Sequence, residues 1–177
     1  LRDPARRGRA MTARADRIAA GIATLGGLGR VKHAPGTVAS LAALPVAWLL
    51  HWAGGIWALA DATLILAIAG HWASGRYIAT REDKDPPVVD EAVGMMIALW
   101  PLSGGLTAAG VEPHVFPWPG WVTGFLLFRA FDILKPPPVG WADRREGALG
   151  IMLDDIFAGL MAAFVVFIGA GVAHGWF

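Results

Sequence analysis

The sequence predicts an all-α integral-membrane helical bundle of about four to five membrane-embedded helices, with its polar loops on the cytoplasmic side. Of the 177 residues, 55% are hydrophobic and only 16% are charged, which is more apolar than is usual for soluble proteins. The charges are also concentrated in a basic arm near the N-terminus and in two charged stretches, Arg76–Glu91 and Arg129–Asp155. The long apolar blocks between them are Val38–Trp72, Ala92–Val111, Val115–Phe128 and Ile156–Ala173. A soluble bundle with unusually apolar helices is the alternative.

The first element is a basic arm, which we place at residues 1–25, ahead of a single helical domain at residues 26–177. Eight of the 15 Lys and Arg residues lie between Arg2 and Lys32, against two acidic residues. Such an arm can bind nucleic acid or anionic lipid, and the apolar remainder favours the bilayer and no nucleic-acid partner. Met11 is a candidate natural start, which would make the first ten residues an addition, and we expect no cleavable signal peptide.

Two apolar segments are long enough to cross the bilayer and return. If the basic arm and the charged stretches share one side, Val38–Trp72 is a helical hairpin that turns near His51–Gly55. Ala92–Phe128 is then a second hairpin, which turns through PLSGGLTAAGVEPHVFPWPG. The block Ile156–Ala173 crosses once. A spanning helix needs ~20 residues and several of these are shorter, so partial spans are left open.

Charge and tryptophan patterns give the orientation. Every Lys and Arg falls on the side of the arm and the charged stretches, which the positive-inside rule makes cytoplasmic. Tryptophan is favoured where lipid meets water, so we expect an aromatic belt at each boundary. The outer belt would contain Trp48, Trp52, Trp57, Trp118, Trp121 and Trp176, and the inner one Trp72 and Trp141.

A first polar patch, GLGRVKHAPGTVAS, precedes the first apolar block. It contains Lys32 and His33, and then Thr37 at the expected start of a helix. Thr37 is predicted to cap this helix, whose free N–H groups and positive dipole end suit a phosphate. A plain capped turn is the alternative.

Two acidic doublets stand at the expected starts of later helices. Asp90 and Glu91 precede the second apolar block, and Asp154 and Asp155 follow a turn at Gly147–Gly150. One acidic residue in a first helical turn is ordinary, because it complements the helix dipole. Two doublets on one side of a membrane instead suggest a hard divalent cation, for which two carboxylates with water and phosphate are a usual Mg²⁺ arrangement.

Cationic residues lie near the acidic ones. Arg129 and Asp132 are three residues apart, so we expect them to form an ion pair. Lys135 follows them, before three prolines that should end the helix. Converging carboxylates repel one another unless a cation neutralises them. The pattern predicts a Mg²⁺–phosphate site with Lys32, Arg129 and Lys135 on the phosphate oxygens, and a buried salt-bridge cluster is an equal alternative.

Four strings in this order, HAPGT, VVDEAVGM, FRAFDILKPPPV and GIMLDDIFAG, resemble the phosphatidylglycerophosphatase A family over roughly Gly26–Gly171. Lys32 and Ala39 stand where the family usually has Pro and Gly, and Ala148 replaces another glycine. The resemblance implies an all-helical, Mg²⁺-dependent lipid phosphatase of the bacterial inner membrane, multi-pass with a cytoplasmic active site. Such an enzyme hydrolyses the terminal phosphomonoester of phosphatidylglycerophosphate to phosphatidylglycerol and inorganic phosphate.

Pattern and resemblance together define the predicted site. The catalytic carboxylates would be Asp90, Glu91, Asp132, Asp154 and Asp155. The Mg²⁺ ligands, direct or through water, would be Asp90, Glu91, Asp154 and Asp155. Asp132 would be a further ligand or would orient Arg129 or Lys135. The phosphate would be bound by Thr37, Arg129, Lys135 and Lys32. A metal-activated water is the first choice of nucleophile, and an aspartyl-phosphate on Asp90 or Asp154 is the second.

Three other functions remain open at this stage. A transporter or channel should scatter its acidic residues through the helix interiors, whereas these stand at one set of helix ends. A non-catalytic scaffold would keep its properties when Asp155 is changed to Asn. A CDP-alcohol phosphotransferase also uses aspartates and a metal in the membrane, but its D-G-x-x-A-R…D-x-x-x-D signature is absent. A homo-oligomer is left open.

Overall fold

The computed structural model describes residues 4–80 and 85–175, with side chains from residue 12 onward, and this part of the chain is helical without strands. The helices are α1 Pro4–Ala23, α2 Pro35–Ala79, α3 Val89–Ala98, α4 Trp100–Ala108, α5 Trp118–Leu134, α6 Val139–Asp143 and α7 Gly147–Ala173. A 3₁₀ segment, Leu25–Arg30, joins α1 to α2. The predicted all-helical fold is confirmed.

Helix α2 is a hairpin rather than one straight rod. The backbone leaves helical geometry at Gly54 and Gly55, and Gly55 has a φ of 60° that favours glycine. Gly36 and Gly70, near the two ends, both lie against side chains from the first turn of α3. A continuous 45-residue helix would extend about 68 Å, so both contacts require the chain to reverse direction. The predicted turn near His51–Gly55 is confirmed.

The second hairpin consists of α3 and α4 going out and α5 coming back. Gly94 of α3 lies against Phe128, and Gly120 of α5 lies against Leu102 of α4. These pairs fit an antiparallel arrangement with the turn between Ala108 and Trp118, which lies inside the predicted turn segment; the first eight residues of that segment, Pro101–Ala108, are helical instead. The outgoing half consists of two short helices. Pro101 stands in the first turn of α4, and because it has no N–H it cannot donate the hydrogen bond that one continuous helix would need there.

Two helix starts differ from the prediction. Helix α2 begins at Pro35 after Ala34, so the prediction that Thr37 caps it is wrong; proline suits a first helical position because that N–H needs no partner. Helix α7 begins at Gly147, where a turn was expected. Asp154 and Asp155 therefore lie about two turns inside α7, and a capping role is excluded for both.

Helix α3 is the centre of the fold, and every residue from Ala92 to Ala98 is buried. Helix α7 crosses it at two glycines: a Cβ on Gly159 would lie 2.4 Å from the carbonyl oxygen of Gly94. Asp90 and Asp155 each stand four residues before one of these glycines, and therefore on the same helical face one turn earlier. The close crossing brings the two acidic doublets together.

Helix α1 carries the basic arm and packs on the returning half of α2. Ala19 and Ala23 contact Ala73 and Tyr77 in a small apolar cluster. The arm is therefore part of the folded structure from residue 4, and Arg2 and Asp3 lie outside the described residues.

Two of the described helices, α2 and α7, are long and apolar enough to cross a membrane by length and composition. Their outer faces carry large apolar side chains that are mostly exposed, such as Ile65 at 68% and Phe164 at 66%. Helices α3, α4 and α5, with 10, 9 and 17 residues, are each shorter than the ~20 residues of a typical span. Membrane association is supported, and the predicted count of four to five membrane-embedded helices is not.

The tryptophans only partly follow the predicted belts. Five of them are exposed: Trp52, Trp57, Trp72, Trp118 and Trp141. Trp121 is buried and packs 5.5 Å from the ring of Phe116, so its place in an outer belt is wrong. It faces inward because it belongs to the core side of α5. Trp48 is partly buried and stacks on Trp52 at 6.3 Å, and Trp176 lies outside the described residues.

Candidate active site

The two hairpins and α7 bring their polar ends to one end of the molecule. Glu91 at the start of α3 and Arg129 near the end of α5 are 38 positions apart, yet Nη1 of Arg129 donates to Oε2 of Glu91 at 2.5 Å. The same Nη1 lies 2.7 Å from Oδ2 of Asp132, which confirms the predicted ion pair. All three side chains are only 13–14% exposed, so one cation joins two carboxylates away from bulk water.

The start of α2 holds Glu91 from the other side. Oγ of Ser40 is 3.0 Å from Oε2 of Glu91 and 2.9 Å from the carbonyl oxygen of Gly36, so its hydroxyl can donate to either acceptor. A Cβ on Gly36 would lie 1.8 Å from Oε1 of Glu91, so any larger residue here would have to displace the Glu91 carboxylate. The sequence analysis did not predict that Ser40 and Gly36 contact Glu91. The one signal was the Pro35–Gly36 pair, because a glycine often marks a place where another group lies close to the backbone.

Asp155 completes a three-carboxylate cluster. One oxygen from each of Glu91, Asp132 and Asp155 lies within 4.8 Å of the other two. Asp155 is 3% exposed, and its buried Oδ1 has no hydrogen-bond partner in the part of the chain that the structure describes. A buried charged oxygen left unpaired is costly, so a proton, a water molecule or a cation is needed beside it.

Asp90 faces the same region with a second unpaired oxygen. The residue is 8% exposed, and its Oδ1 is buried with no partner among the described groups. Burial raises the pKa of Asp90 well above its usual value, and the neighbouring charge of Glu91 adds to the increase. Burial likewise raises the pKa of Glu91, with a contribution from Asp132 that Arg129 opposes.

Lys135 pairs with the first residue of the second doublet, next to the cluster member Asp155. Its Nζ is 3.2 Å from Oδ2 of Asp154 and also contacts Oδ1 of Asp143. Burial alone would lower the pKa of Lys135, but the two carboxylates outweigh it and raise the pKa. Lys135 ends α5 in a left-handed conformation just before the prolines, which confirms the predicted helix end. Asp143 was not predicted as a site residue, and only its position in the second charged stretch indicated it.

Two predicted phosphate-binding residues stand apart from these contacts. Lys32 is exposed in the bend before α2 and makes no ion pair with a described residue. Thr37 is partly buried in the first turn of α2, next to the Gly36 that touches Glu91. The first intrahelical bond of α2 is donated by Val38 to Ala34, which leaves the N–H groups of Gly36 and Thr37 outside the helix ladder.

The donor set suits a hard divalent cation. The five predicted carboxylates outnumber Arg129 and Lys135 by three, so the bare cluster would repel a phosphomonoester dianion. Oxygens that share one Mg²⁺ lie about 3–4 Å apart, and those of Glu91, Asp132 and Asp155 lie within 4.8 Å of one another, so the three carboxylates could hold one such ion. Small side-chain rotations would bring these oxygens to ligating positions. The three carboxylates of Glu91, Asp132 and Asp155 therefore have a chemistry and spacing that suit Mg²⁺, and Asp90 and Asp154 lie next to them in sequence.

Comparisons with known proteins agree with this site. The family model of phosphatidylglycerophosphatase A matches residues 21–170, which include every carboxylate above. The phosphatidylglycerophosphatase A of Escherichia coli is 33% identical over 150 residues, covering 80% of this chain and 76% of the relative. The Haemophilus influenzae protein of that name is 33% identical over 144 residues, covering 80% and 82%. A Bacteroides thetaiotaomicron protein provisionally named phosphatidylinositol-3-phosphatase is 32% identical over 151 residues, covering 82% and 89%. No solved structure matches the chain.

Proposed function

The chain belongs to the phosphatidylglycerophosphatase A family, and we propose that it hydrolyses the terminal phosphomonoester of phosphatidylglycerophosphate. The products are phosphatidylglycerol and inorganic phosphate, as the names of its relatives indicate. The observation that carries the proposal is the family match over residues 21–170, which contain the whole carboxylate cluster. Transport and scaffold functions lose their basis, because the acidic residues converge at one polar site.

We further propose that the reaction depends on Mg²⁺. Glu91, Asp132 and Asp155 would hold the ion directly, and Asp90 and Asp154 directly or through water. When bound, Mg²⁺ lowers the pKa of water and neutralises charge on the phosphoryl oxygens. The support is the excess of buried carboxylates and the two unpaired oxygens on Asp90 and Asp155.

Arg129 and Lys135 are the proposed phosphate-binding cations. Nη1 of Arg129 is occupied by Glu91 and Asp132, but its buried Nε has no partner within the described residues and can donate to a phosphoryl oxygen. Lys135 adds a second positive charge at the Asp154 side of the cluster. Stabilising charge that builds up on phosphoryl and departing oxygens is the main catalytic demand in phosphoryl transfer. The free N–H groups of Gly36 and Thr37 are further donors, whereas Lys32 would act only as an exposed attracting charge.

Water is the proposed nucleophile, with the unpaired Oδ1 of Asp90 accepting its proton. The water oxygen bonds to phosphorus as the bond to the glycerol oxygen breaks, and that oxygen takes a proton from solvent. The competing route is an aspartyl-phosphate on Asp90 or Asp154. Rapid quenching of a reaction with ³²P-labelled substrate separates the two, because radiolabel remains on the protein only in the second route.

The proposed setting is the bacterial inner membrane, with a multi-pass chain and the site facing the cytoplasm. The support is the apolar exterior of α2 and α7 and the concentration of Lys and Arg along the sequence in the basic arm and the two charged stretches. The phosphate head would then stay in water while the acyl chains lie beside the helices.

The central test is phosphate release from phosphatidylglycerophosphate by the purified protein, with Mg²⁺ and then with EDTA. We expect turnover that EDTA abolishes, and loss of turnover in Asp90→Asn and Asp154→Asn. Asp61→Asn is the matched control, because Asp61 is exposed on α2 outside the cluster. Phosphatidylinositol 3-phosphate is the comparison substrate, and faster release from it would shift the proposed specificity. Wild-type protein that releases no phosphate with Mg²⁺ present, or undiminished turnover in both site variants, contradicts the proposal.

A further inference from the structure

An apolar groove begins beside the Lys135–Asp154 pair and runs along α7. Its volume is ≈ 280 Å³, and its walls come from α5, from α7 and from Pro138 in the loop before α6. The lining residues on α7 include Phe157, Met161, Phe164 and Val165. Phe157, Met161 and Val165 are each four residues apart and Phe164 is three residues after Met161, so all four lie along one helical face, and the distance from the first to the last is about 12 Å.

The head of this groove lies next to proposed phosphate-binding groups. Phe131, a lining residue, is four residues before Lys135, whose backbone N–H donates to the carbonyl oxygen of Phe131 at 2.9 Å. Phe157 is three residues after Asp154 on the same face of α7, and Asp154 is ion-paired with Lys135. The apolar surface therefore starts about one helical turn from a cation at the edge of the site.

We propose that this groove binds one acyl chain of the lipid substrate whose phosphate lies at Arg129 and Lys135. The inference rests on the proposed function and specifies how the site holds its substrate. A phospholipid joins an anionic head to an apolar chain, and the groove joins a cation to an apolar channel in the same order. A second copy of the protein would cover the apolar walls but would offer nothing to the polar head of the groove.

The groove contributes orientation rather than hydrophobic energy. Acyl chains in a bilayer or micelle are already in apolar surroundings as favourable as phenylalanine and leucine side chains. Seating one chain beside Lys135 instead limits the positions that the phosphate can take, and misplacing a reacting group by about 1 Å can cost ~10²-fold in rate. Blocking the groove should therefore reduce turnover of long-chain substrate and leave short-chain substrate little changed.

The kinetic test is Val165→Trp, which fills the far end of the groove. The matched control is Val172→Trp on the same helix, where the side chain is 68% exposed and does not line the groove. We expect Val165→Trp to lower kcat/KM about tenfold for dioleoyl substrate and less than about twofold for dihexanoyl substrate, with no change in the control. Equal losses for both chain lengths, or equal behaviour of the two variants, overturn the proposal even when the wild type is active.

A binding test works whether or not the protein turns over. A phosphatidylglycerophosphate carrying a diazirine in one acyl chain is photolysed on the protein in detergent, and the labelled peptides are identified by mass spectrometry. We expect label on 157–165, removed by excess unlabelled phosphatidylglycerophosphate and not by neutral diacylglycerol. Label spread evenly over the exposed faces of α2 and α7 means general lipid contact only and overturns the groove. An inactive wild type with label confined to the groove would instead count against the proposed reaction alone.

Discussion

Asp155 offers the sharpest test, because its substitution by Asn should change stability and activity in opposite directions. The side chain is 3% exposed, has an unpaired buried oxygen and shares a cluster with Glu91 and Asp132. Asn has nearly the same shape but no charge, so the helix crossing should stay intact. The substitution removes carboxylate repulsion and a proposed Mg²⁺ ligand at once.

The size of the effect follows from the cluster geometry. Two unit charges 4.8 Å apart repel by about 3.5 kcal/mol at an effective dielectric constant of ~20, and Asp155 forms two such pairs. Arg129 contacts the other two carboxylates and offsets much of this repulsion. We expect Asp155→Asn without Mg²⁺ to raise the free energy of unfolding by about 2 kcal/mol, which corresponds to a Tm increase of about 4–8 °C.

The assay is thermal unfolding in detergent, with EDTA and with Mg²⁺, alongside phosphate release. Mg²⁺ should raise the Tm of the wild type by binding the folded state and should raise that of Asp155→Asn much less. Turnover should fall by at least about 10²-fold in the variant. Asp61→Asn, which removes an exposed charge on the same chain, should leave both measurements unchanged.

Two results would refute the reasoning. A lower Tm for Asp155→Asn in EDTA would mean that the carboxylate is held by attraction, as in a structural salt-bridge cluster. Full turnover in the variant would mean that Asp155 does not take part in the reaction.

Three further substitutions test how the site is built. Gly36→Ala should displace the Glu91 carboxylate and lower kcat by about tenfold or more with unchanged helix content by circular dichroism. Gly159→Ala should separate α7 from Gly94 and lower the free energy of unfolding by about 1–3 kcal/mol in denaturant titrations. Arg129→Lys should reduce kcat/KM by about 10²-fold, because an ammonium cannot reproduce the guanidinium fork, and Mg²⁺ should still raise its Tm.

Gly169→Ala is the control for both glycine substitutions, because a Cβ there meets nothing within 4 Å. It should be neutral or slightly stabilising, since alanine favours a helix over glycine. If Gly36→Ala matches this control in turnover, Glu91 is not constrained by Gly36. If Gly159→Ala has the same free energy of unfolding as Gly169→Ala, the close contact between α3 and α7 does not contribute to stability.

The two hairpins, and the meeting of the acidic doublets at one end of the molecule, could be predicted from the lengths of the apolar blocks and the positions of the charged residues. The lengths of the apolar blocks fix where the chain must reverse, and the charged stretches must share a side to stay out of the apolar region. Helix starts were less predictable, since Thr37 and Pro35 are both acceptable near an N-terminus. The helix begins at Pro35 because Ala34 adopts a left-handed conformation, which the sequence does not predict for an alanine.

The pairing within the site could not be predicted, because it depends on distances between helices. Nothing local assigns Glu91 to Arg129 across 38 positions, or gives Asp132 a place beside Asp155. Trp121 shows the same limit, since composition predicts a belt and the packing of α5 turns the ring inward.

One spacing links the packing of this protein to its chemistry. On both α3 and α7 an acidic residue precedes a glycine by four positions, so acid and glycine lie on one face. The glycines allow the two backbones to approach closely, and that approach leaves Asp90 and Asp155 buried opposite each other. A larger residue at Gly94 or Gly159 would relieve the electrostatic cost by moving the helices apart, but it would also open the carboxylate cluster. The fold therefore keeps a cluster of buried carboxylates in place by tight packing one turn away, which is an arrangement that would suit the proposed Mg²⁺ site.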